Sequence, residues 1–337
     1  MKQKILVTGG AGYIGAHTVI ELIQSGYEPV IIDNFSKSDK VLLEGLEQIT
    51  SQKPDFRQGD CVDKEFLRKV FTSTPISCVM HFAAYKSVGE SVAKPLDYYH
   101  NNIQSLVSLI AVMQEFGVKD LIFSSSCTVY GQPDLIPVSE TAAFKRAESP
   151  YGATKQMCER ILEDTFKTGL RAISLRYFNP IGAHPSALIG ELPIGTPNNL
   201  IPYVTQTAIG KREKLTVFGN DYNTPDGSCI RDYIHVVDLA IAHVKAMEYL
   251  NKQPDGNCYD VFNLGTGVGV SVLEFVNKFQ KVTSVKLNYV IGPRRPGDVE
   301  KTYADPTKAN AVLGWKTKYS MEEALLHSWQ WEKKLSQ

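Results

Sequence analysis

A doubly wound α/β sheet of parallel strands, followed by a smaller α/β lobe, is the fold that this sequence of 337 residues predicts. Three observations predict it. Short β-branched runs alternate with longer helical segments through the first half. Those runs are apolar almost end to end, as strands covered by helices on both faces are. The first run leads into a glycine-rich turn that opens a helix.

Taken in order, residues 4–8, 29–33, 77–82, 120–124 and 172–176 read as strands. A helix follows the glycine turn to about Ser25, with Gly26 as its stop. After Asn179 the texture changes. Residues 180–202 hold Pro185, Pro193, Pro197, Gly182, Gly190 and Gly195, and no regular element is expected there; a loop of that length is usually functional or disordered. Beyond it, 215–218 and 261–264 read as short strands and 270–279 as a helix. We therefore divide the chain into 1–179 and 180–337, with later chain expected to return to the first lobe.

Composition removes several classes of function. Thirty-six basic residues balance thirty-six acidic ones, so a broad electrostatic footprint for nucleic acid is not expected. The six cysteines are scattered, without Cys-x-x-Cys or zinc spacing, and no His-Glu-x-x-His occurs. No metal site is expected, and the cysteine pattern fits a reducing compartment. The first apolar run is too short for a signal core or a membrane span. A cytoplasmic protein without membrane or nucleic-acid partners is the expectation.

The glycine turn reads Thr8-Gly9-Gly10-Ala11-Gly12-Tyr13-Ile14-Gly15. Gly9 allows the tight turn, Gly12 lets a pyrophosphate approach the backbone, and Gly15 lets the helix lie close on the sheet. The helix start then offers free N–H groups and a positive dipole end to the anion. A glycine motif alone is weak evidence, because a bare turn looks the same. Here a strand precedes it, a helix follows, and Asp33 ends the next strand eighteen residues beyond Gly15. A carboxylate at that place accepts a ribose diol and repels a 2′-phosphate, which favours NAD over NADP.

Tyr151 and Lys155 form a Tyr-x-x-x-Lys pair at the start of a helix after Pro150, and the four-residue spacing puts both on one face. A free phenol, with a pKa of about 10, is a poor base at neutral pH. A neighbouring ammonium is expected to lower that value and make Tyr151 a usable proton acceptor. Ser124-Ser125-Ser126 ends a strand, where ligands of open α/β sheets bind, and one of these hydroxyls can bridge Tyr151 to a substrate hydroxyl. An ordinary helix could carry the same pair by chance; the combination with the glycine cradle and the serine-ended strand carries the inference.

Further stretches are more distinctive: His81-Phe82-Ala83-Ala84, Lys86 to Ser91, Ser124 to Gly131, Arg176-Tyr177-Phe178-Asn179-Pro180, Pro197 to Leu200, Phe218 to Tyr222, Arg231 to His235, and Arg295-Pro296-Gly297-Asp298. With them the chain resembles, over nearly its whole length, the extended short-chain dehydrogenases, and within these the UDP-galactose (UDP-glucose) 4-epimerases. The resemblance implies a Rossmann-type NAD-binding lobe and a UDP-sugar-binding lobe. It implies that Tyr151, directly or through Ser126, takes the proton of the sugar's 4-hydroxyl while hydride passes from carbon 4 to tightly bound NAD. The 4-keto sugar then turns over and receives hydride on its opposite face. Lys155 would bind the nicotinamide ribose. The cofactor set implied is Gly9, Gly12, Tyr13, Ile14, Gly15, Asp33, Asn34, Asp60, Cys61, Phe82, Ala83, Lys86, Asn101 and Phe178, together with Ser126, Tyr151 and Lys155. UDP would be held by Asn179, Asn199, Leu200, Phe218, Arg231, Tyr233, Arg295 and Asp298. Guanidinium forks match phosphate oxygens, although an arginine is more often a solvated surface charge.

Two positions depart from the more familiar bacterial pattern. Cys127 stands where alanine is usual, with little consequence expected. Thr302 stands where a tyrosine resembles a wall against an N-acetyl group, so the N-acetylated UDP-hexosamines are expected as additional substrates. The helix containing Ile103, Leu106, Val107, Leu109, Ile110, Val112, Met113 and Phe116 is apolar on more than one face. It is either an interior helix or, as the resemblance implies, part of a homodimer interface with the Tyr151 helix. Other NAD-dependent UDP-sugar enzymes, acting on UDP-glucuronate, remain an alternative reading. A non-catalytic NAD sensor is another, although it has no need of Tyr151 and Lys155 together. A 4,6-dehydratase would want a carboxylate beside the strand-end hydroxyl, and Ser126-Cys127-Thr128 has none.

Overall fold

The computed structural model describes residues 2–254, 256, 258–295 and 298–337. Pro296 and Gly297 of the Arg295–Asp298 motif lie outside the described residues. The large lobe begins β1 (Lys4–Thr8), α1 (Tyr13–Gln24), β2 (Glu28–Asp33), α2 (Val41–Thr50), β3 (Asp55–Gln58), α3 (Lys64–Ser73) and β4 (Ile76–His81). It continues with α4 (Val88–Ala93), α5 (Pro95–Glu115), β5 (Asp120–Ser126), α6 (Pro150–Thr165) and β6 (Arg171–Tyr177). Then follow β7 (Asn179–Ile181), α7 (Leu200–Ala208), β8 (Leu215–Phe218), β9 (Ile230–Arg231), β10 (Tyr233–His235), α8 (Val236–Lys252) and β11 (Cys258–Leu264). The chain ends with β12 (Val270–Ser271), α9 (Val272–Thr283), β13 (Tyr289–Gly292), β14 (Lys301–Thr302), α10 (Thr307–Val312) and α11 (Met321–Leu335).

The main sheet has seven strands in the order β11-β6-β5-β4-β1-β2-β3, and every pairing is parallel. The strand order reverses between β1 and β4, and the crevice beyond the carboxyl ends of those strands is where such sheets bind ligands. Two apolar cores fill its faces. Val19 and Ile20 of α1 and Ala242 and Met247 of α8 share one. Leu106 and Leu109 of α5 and Leu162 of α6 share the other. The smaller lobe joins three short sheets, β10-β7, β12-β9-β14 and β13-β8, to α7, α9 and α11 around Phe275, Phe279 and Leu325. Among the described residues no helix is long and apolar enough to cross a membrane.

Several elements differ from the sequence reading. Residues 180–202 are not wholly irregular: β7 pairs with β10, and Pro202 sits inside the first turn of α7. The ring is tolerated there because first-turn amides have no intrahelical acceptor to lose. The helix expected from 270 starts at Val272, its first two residues forming β12. β3, Asp-Phe-Arg-Gln, lies at the sheet edge with a half-buried, polar pattern that carries no strand period.

Candidate active site

The crevice is a cavity of about 530 Å³, within the range of cofactor and ligand sites. The glycine turn forms its floor. Gly9 has φ +68°, and a Cβ there would stand 2.8 Å from the Ala83 amide nitrogen. A Cβ on Gly15 would stand 2.3 Å from the Gly9 carbonyl oxygen. Helix α1 opens behind Gly12 with no side-chain cap, so its first amides are left for a ligand. Gly26, at φ +87°, follows the helix end, as the sequence suggested.

Asp33, at the end of β2, is buried and already ordered. Its Oδ2 accepts from the Ala11 amide at 3.2 Å, and its Oδ1 accepts from Phe35 N at 2.9 Å and Ser38 Oγ at 2.7 Å. Asn34 Nδ2 donates to Asp60 at 2.8 Å. A preset carboxylate, close-approach glycines and an uncapped helix start fit a dinucleotide with a free ribose diol. Substituting Gly15 by alanine is expected to strip most bound NAD from the purified protein, because the new methyl meets a backbone carbonyl; NAD released on denaturation and assayed spectroscopically measures it.

On the opposite wall, Ser149 Oγ accepts from Gly152 N at 3.2 Å and, with Pro150 behind it, starts α6. This fixes Tyr151 in the first turn and Lys155 one turn later. The Lys155 ammonium lies 5.9 Å from the centre of the Tyr151 ring and donates to the Ser124 carbonyl at 2.5 Å. Ser126 caps the turn after β5, its Oγ accepting from Thr128 N at 3.2 Å and Thr128 Oγ1 at 3.0 Å, and it acts on the protonation of Tyr151.

Burial sets both protonation equilibria. It pushes the Tyr151 phenol up to about 12, Ser126 acting the other way. It pulls the Lys155 ammonium down to about 8. The expected lowering of Tyr151 by Lys155 is thus not realised in the protein alone: desolvation outweighs it, and the ammonium spends its closest bond on Ser124.

All the cofactor-side residues read from sequence line this one cavity: Gly9, Gly12, Tyr13, Ile14, Gly15, Asp33, Asn34, Asp60, Cys61, Phe82, Ala83, Lys86, Asn101, Ser126, Tyr151, Lys155 and Phe178 do so, with Asn179 and Asn199 from the substrate set. The other substrate residues stand outside its lining. Asp298 draws two guanidinium groups together, Arg295 at 2.7 Å and Arg231 at 3.7 Å, and Arg295 lies 5.6 Å from the Phe218 ring centre. Thr302 is set opposite Arg231 in the β14–β9 pairing. The Arg231 charge acts on Cys127, a cavity residue, so this cluster adjoins the cavity. Leu200 begins α7 behind Asn199. Tyr233 is turned into the small-lobe core, 4.7 Å from Phe275. The sequence reading missed Glu191, which stands in the cavity wall. A lone acid in a Pro/Gly-rich stretch gives no motif to find it by. Among the described residues, no group of three or more His, Cys, Asp or Glu side chains is placed to hold a metal.

A family model described as GDP-mannose 4,6 dehydratase matches residues 6–327. The UDP-glucose 4-epimerase of Bacillus subtilis (strain 168) is 51% identical over 330 residues, which cover 97% of this chain and 96% of that protein. The chain belongs to the UDP-glucose 4-epimerase family. The crystal structure of the UDP-glucose 4-epimerase from Bifidobacterium longum in complex with NAD+ and UDP is 45% identical, superposes with a TM-score of 0.95 and covers 98% of both chains. That of the enzyme from Stenotrophomonas maltophila, with bound NAD and formylated UDP-arabinopyranose, is 46% identical with a TM-score of 0.96 and covers 99% of both. The 3-10 turn Cys127–Tyr130 after Ser126 carries no carboxylate.

Proposed function

We propose that this chain interconverts UDP-glucose and UDP-galactose by inverting carbon 4 through a 4-keto sugar. One observation carries the reading: Tyr151, Lys155 and Ser126 converge on the wall of a cavity whose floor is the glycine cradle. Bound NAD, held by the cradle and by Asp33, supplies the acceptor for the hydrogen and electron pair of carbon 4 and gives them back. Tyr151 takes the 4-hydroxyl proton and returns it, with Ser126 placed to relay or orient it. Lys155 holds its positive charge beside the phenol and favours the phenolate, the form in which Tyr151 must stand to accept that proton. Arg231 and Arg295, gathered by Asp298, present two forks for the diphosphate. The UDP stays anchored there while the ketone turns.

The test is direct. Purified protein is mixed with UDP-glucose and no added NAD, and the galacto product is followed by proton NMR. No product, with or without added NAD, overturns the reading and moves UDP-glucuronate chemistry ahead.

The second substrate pair rests on Thr302. It is 9% exposed and opposes Arg231, and its side chain is far smaller than a tyrosine's. UDP-N-acetylglucosamine is therefore accepted too. Thr302→Tyr is expected to cut N-acetyl turnover by more than about tenfold and leave UDP-glucose within about threefold, since a clash rejects only the larger group. Equal loss on both sugars in the same NMR assay removes the steric account.

A homodimer is part of the proposal. Much of α5 is covered within the chain, yet Leu96 and Val107 on α5 and Met157 on α6 remain exposed. Pairing these helices with their copies across a two-fold covers them. The six cysteines are all free thiols, in keeping with work in the reducing cytoplasm.

A further inference from the structure

Glu191 lies in the loop between β7 and α7, and its backbone is held from behind. Trp331 Nε1 on α11 donates to the Glu191 carbonyl at 3.0 Å. A Cβ on the preceding Gly190 would stand 2.4 Å from the Trp331 ring, so only glycine lets the loop lie against the indole. The acceptor carried by this loop is therefore fixed in place.

Its side chain spans the cavity wall. Oε1 accepts from Lys86 Nζ at 2.7 Å and from Asn199 Nδ2 at 2.6 Å. Oε2 is buried and has no hydrogen-bond partner. Lys86 follows β4 in the large lobe, with its ammonium 5.7 Å from the centre of the Tyr13 ring at the glycine cradle. Asn199 is the N-cap of α7 in the small lobe, yet its side chain makes no capping bond. Asparagine at that place ordinarily caps the helix; here the side chain is committed to Glu191 instead. A 91% buried carboxylate with one bare oxygen and an N-cap that forgoes its cap both work against stability. Two such concessions at one point in a cavity wall indicate a functional role.

We propose that Glu191 is a positioning residue of the epimerase, holding Lys86 on the cofactor side and Asn199 on the sugar-nucleotide side so that the two walls of the cavity act as one rigid frame. This rests on the epimerase reading. Lys86 is half-exposed and its ion pair is screened, so the charge contributes mainly to placement. The anion also gives Lys86 one preferred position among its many rotamers.

Glu191→Gln tests it, because glutamine keeps the shape and one acceptor oxygen but loses the charge. The KM for UDP-galactose is expected to rise about tenfold with kcat within about threefold, as expected when a charge-assisted bond is lost. Calorimetry with UDP is expected to show about fivefold weaker binding, with the melting midpoint in place. KM and UDP affinity both within twofold of the parent overturn the proposal. So does a lowered melting midpoint with binding unchanged. If the parent protein fails to interconvert the sugars, the functional reading fails by itself, while UDP calorimetry still judges Glu191.

Discussion

Tyr151→Phe is expected to lower kcat by roughly three to four orders of magnitude while UDP binds as before. The phenol oxygen alone is removed. The ring stays packed at the start of α6, and the arginines around Asp298 are untouched. The pH profile carries the second half of the expectation. Lys155, held down to about 8 by burial, is half deprotonated at that pH and increasingly neutral above it. The positive charge beside the phenol disappears in that range, so kcat of the parent is expected to fall as pH rises through 8. Lys155→Met is expected to lack that alkaline limb. Stopped assays of UDP-galactose conversion across pH 6 to 10 measure both, and a Tyr151→Phe variant with more than a tenth of parental kcat removes Tyr151 from the proton path.

The second large effect is on stability. Glu159 on α6 is fully buried and meets Arg176 on β6 at 2.5 Å and 2.9 Å. Ser125 also donates to it, and Arg176 reaches the Tyr130 hydroxyl at 2.9 Å. This network fixes the Tyr151–Lys155 helix on the sheet. Glu159→Ala leaves a buried guanidinium without its partner, which is expected to cost about 3–5 kcal/mol. Urea unfolding at fixed NAD and UDP concentrations is the measurement, because bound ligand adds its own stabilisation. A loss below about 1 kcal/mol means that Tyr130 and water satisfy Arg176 unaided. Replacing Arg176 by leucine in the same background is expected to restore part of the loss, since the orphaned charge is removed.

What could be read from sequence follows what is local. The strands buried on both faces announce themselves, as in Ile5-Leu6-Val7 and Ile31-Ile32. Tyr151 and Lys155 are legible because one turn of helix brings them together, and the glycine cradle because its geometry is written in adjacent residues. β3 is not legible, since Asp55 and Arg57 pair with each other on an edge strand and leave no apolar alternation. Glu191 is not legible either, because its partners Lys86 and Trp331 are brought to it only by folding. The shift in Tyr151 runs opposite to the sequence argument because burial is a property of the whole wall and the motif reports only the neighbour.

β11 has a consequence for synthesis. It completes the edge of the main sheet beside β6, and α8 covers the apolar side of α1, yet both come from beyond residue 235. A nascent chain that has emerged only to β6 displays an unpaired strand edge and a bare helix face, each of them adhesive. Both stay uncovered until the chain through Leu264 has been made. For the same reason no single cut frees one lobe from the other: the polypeptide passes between them more than once, and the large lobe is finished by a helix and a strand from later in the chain.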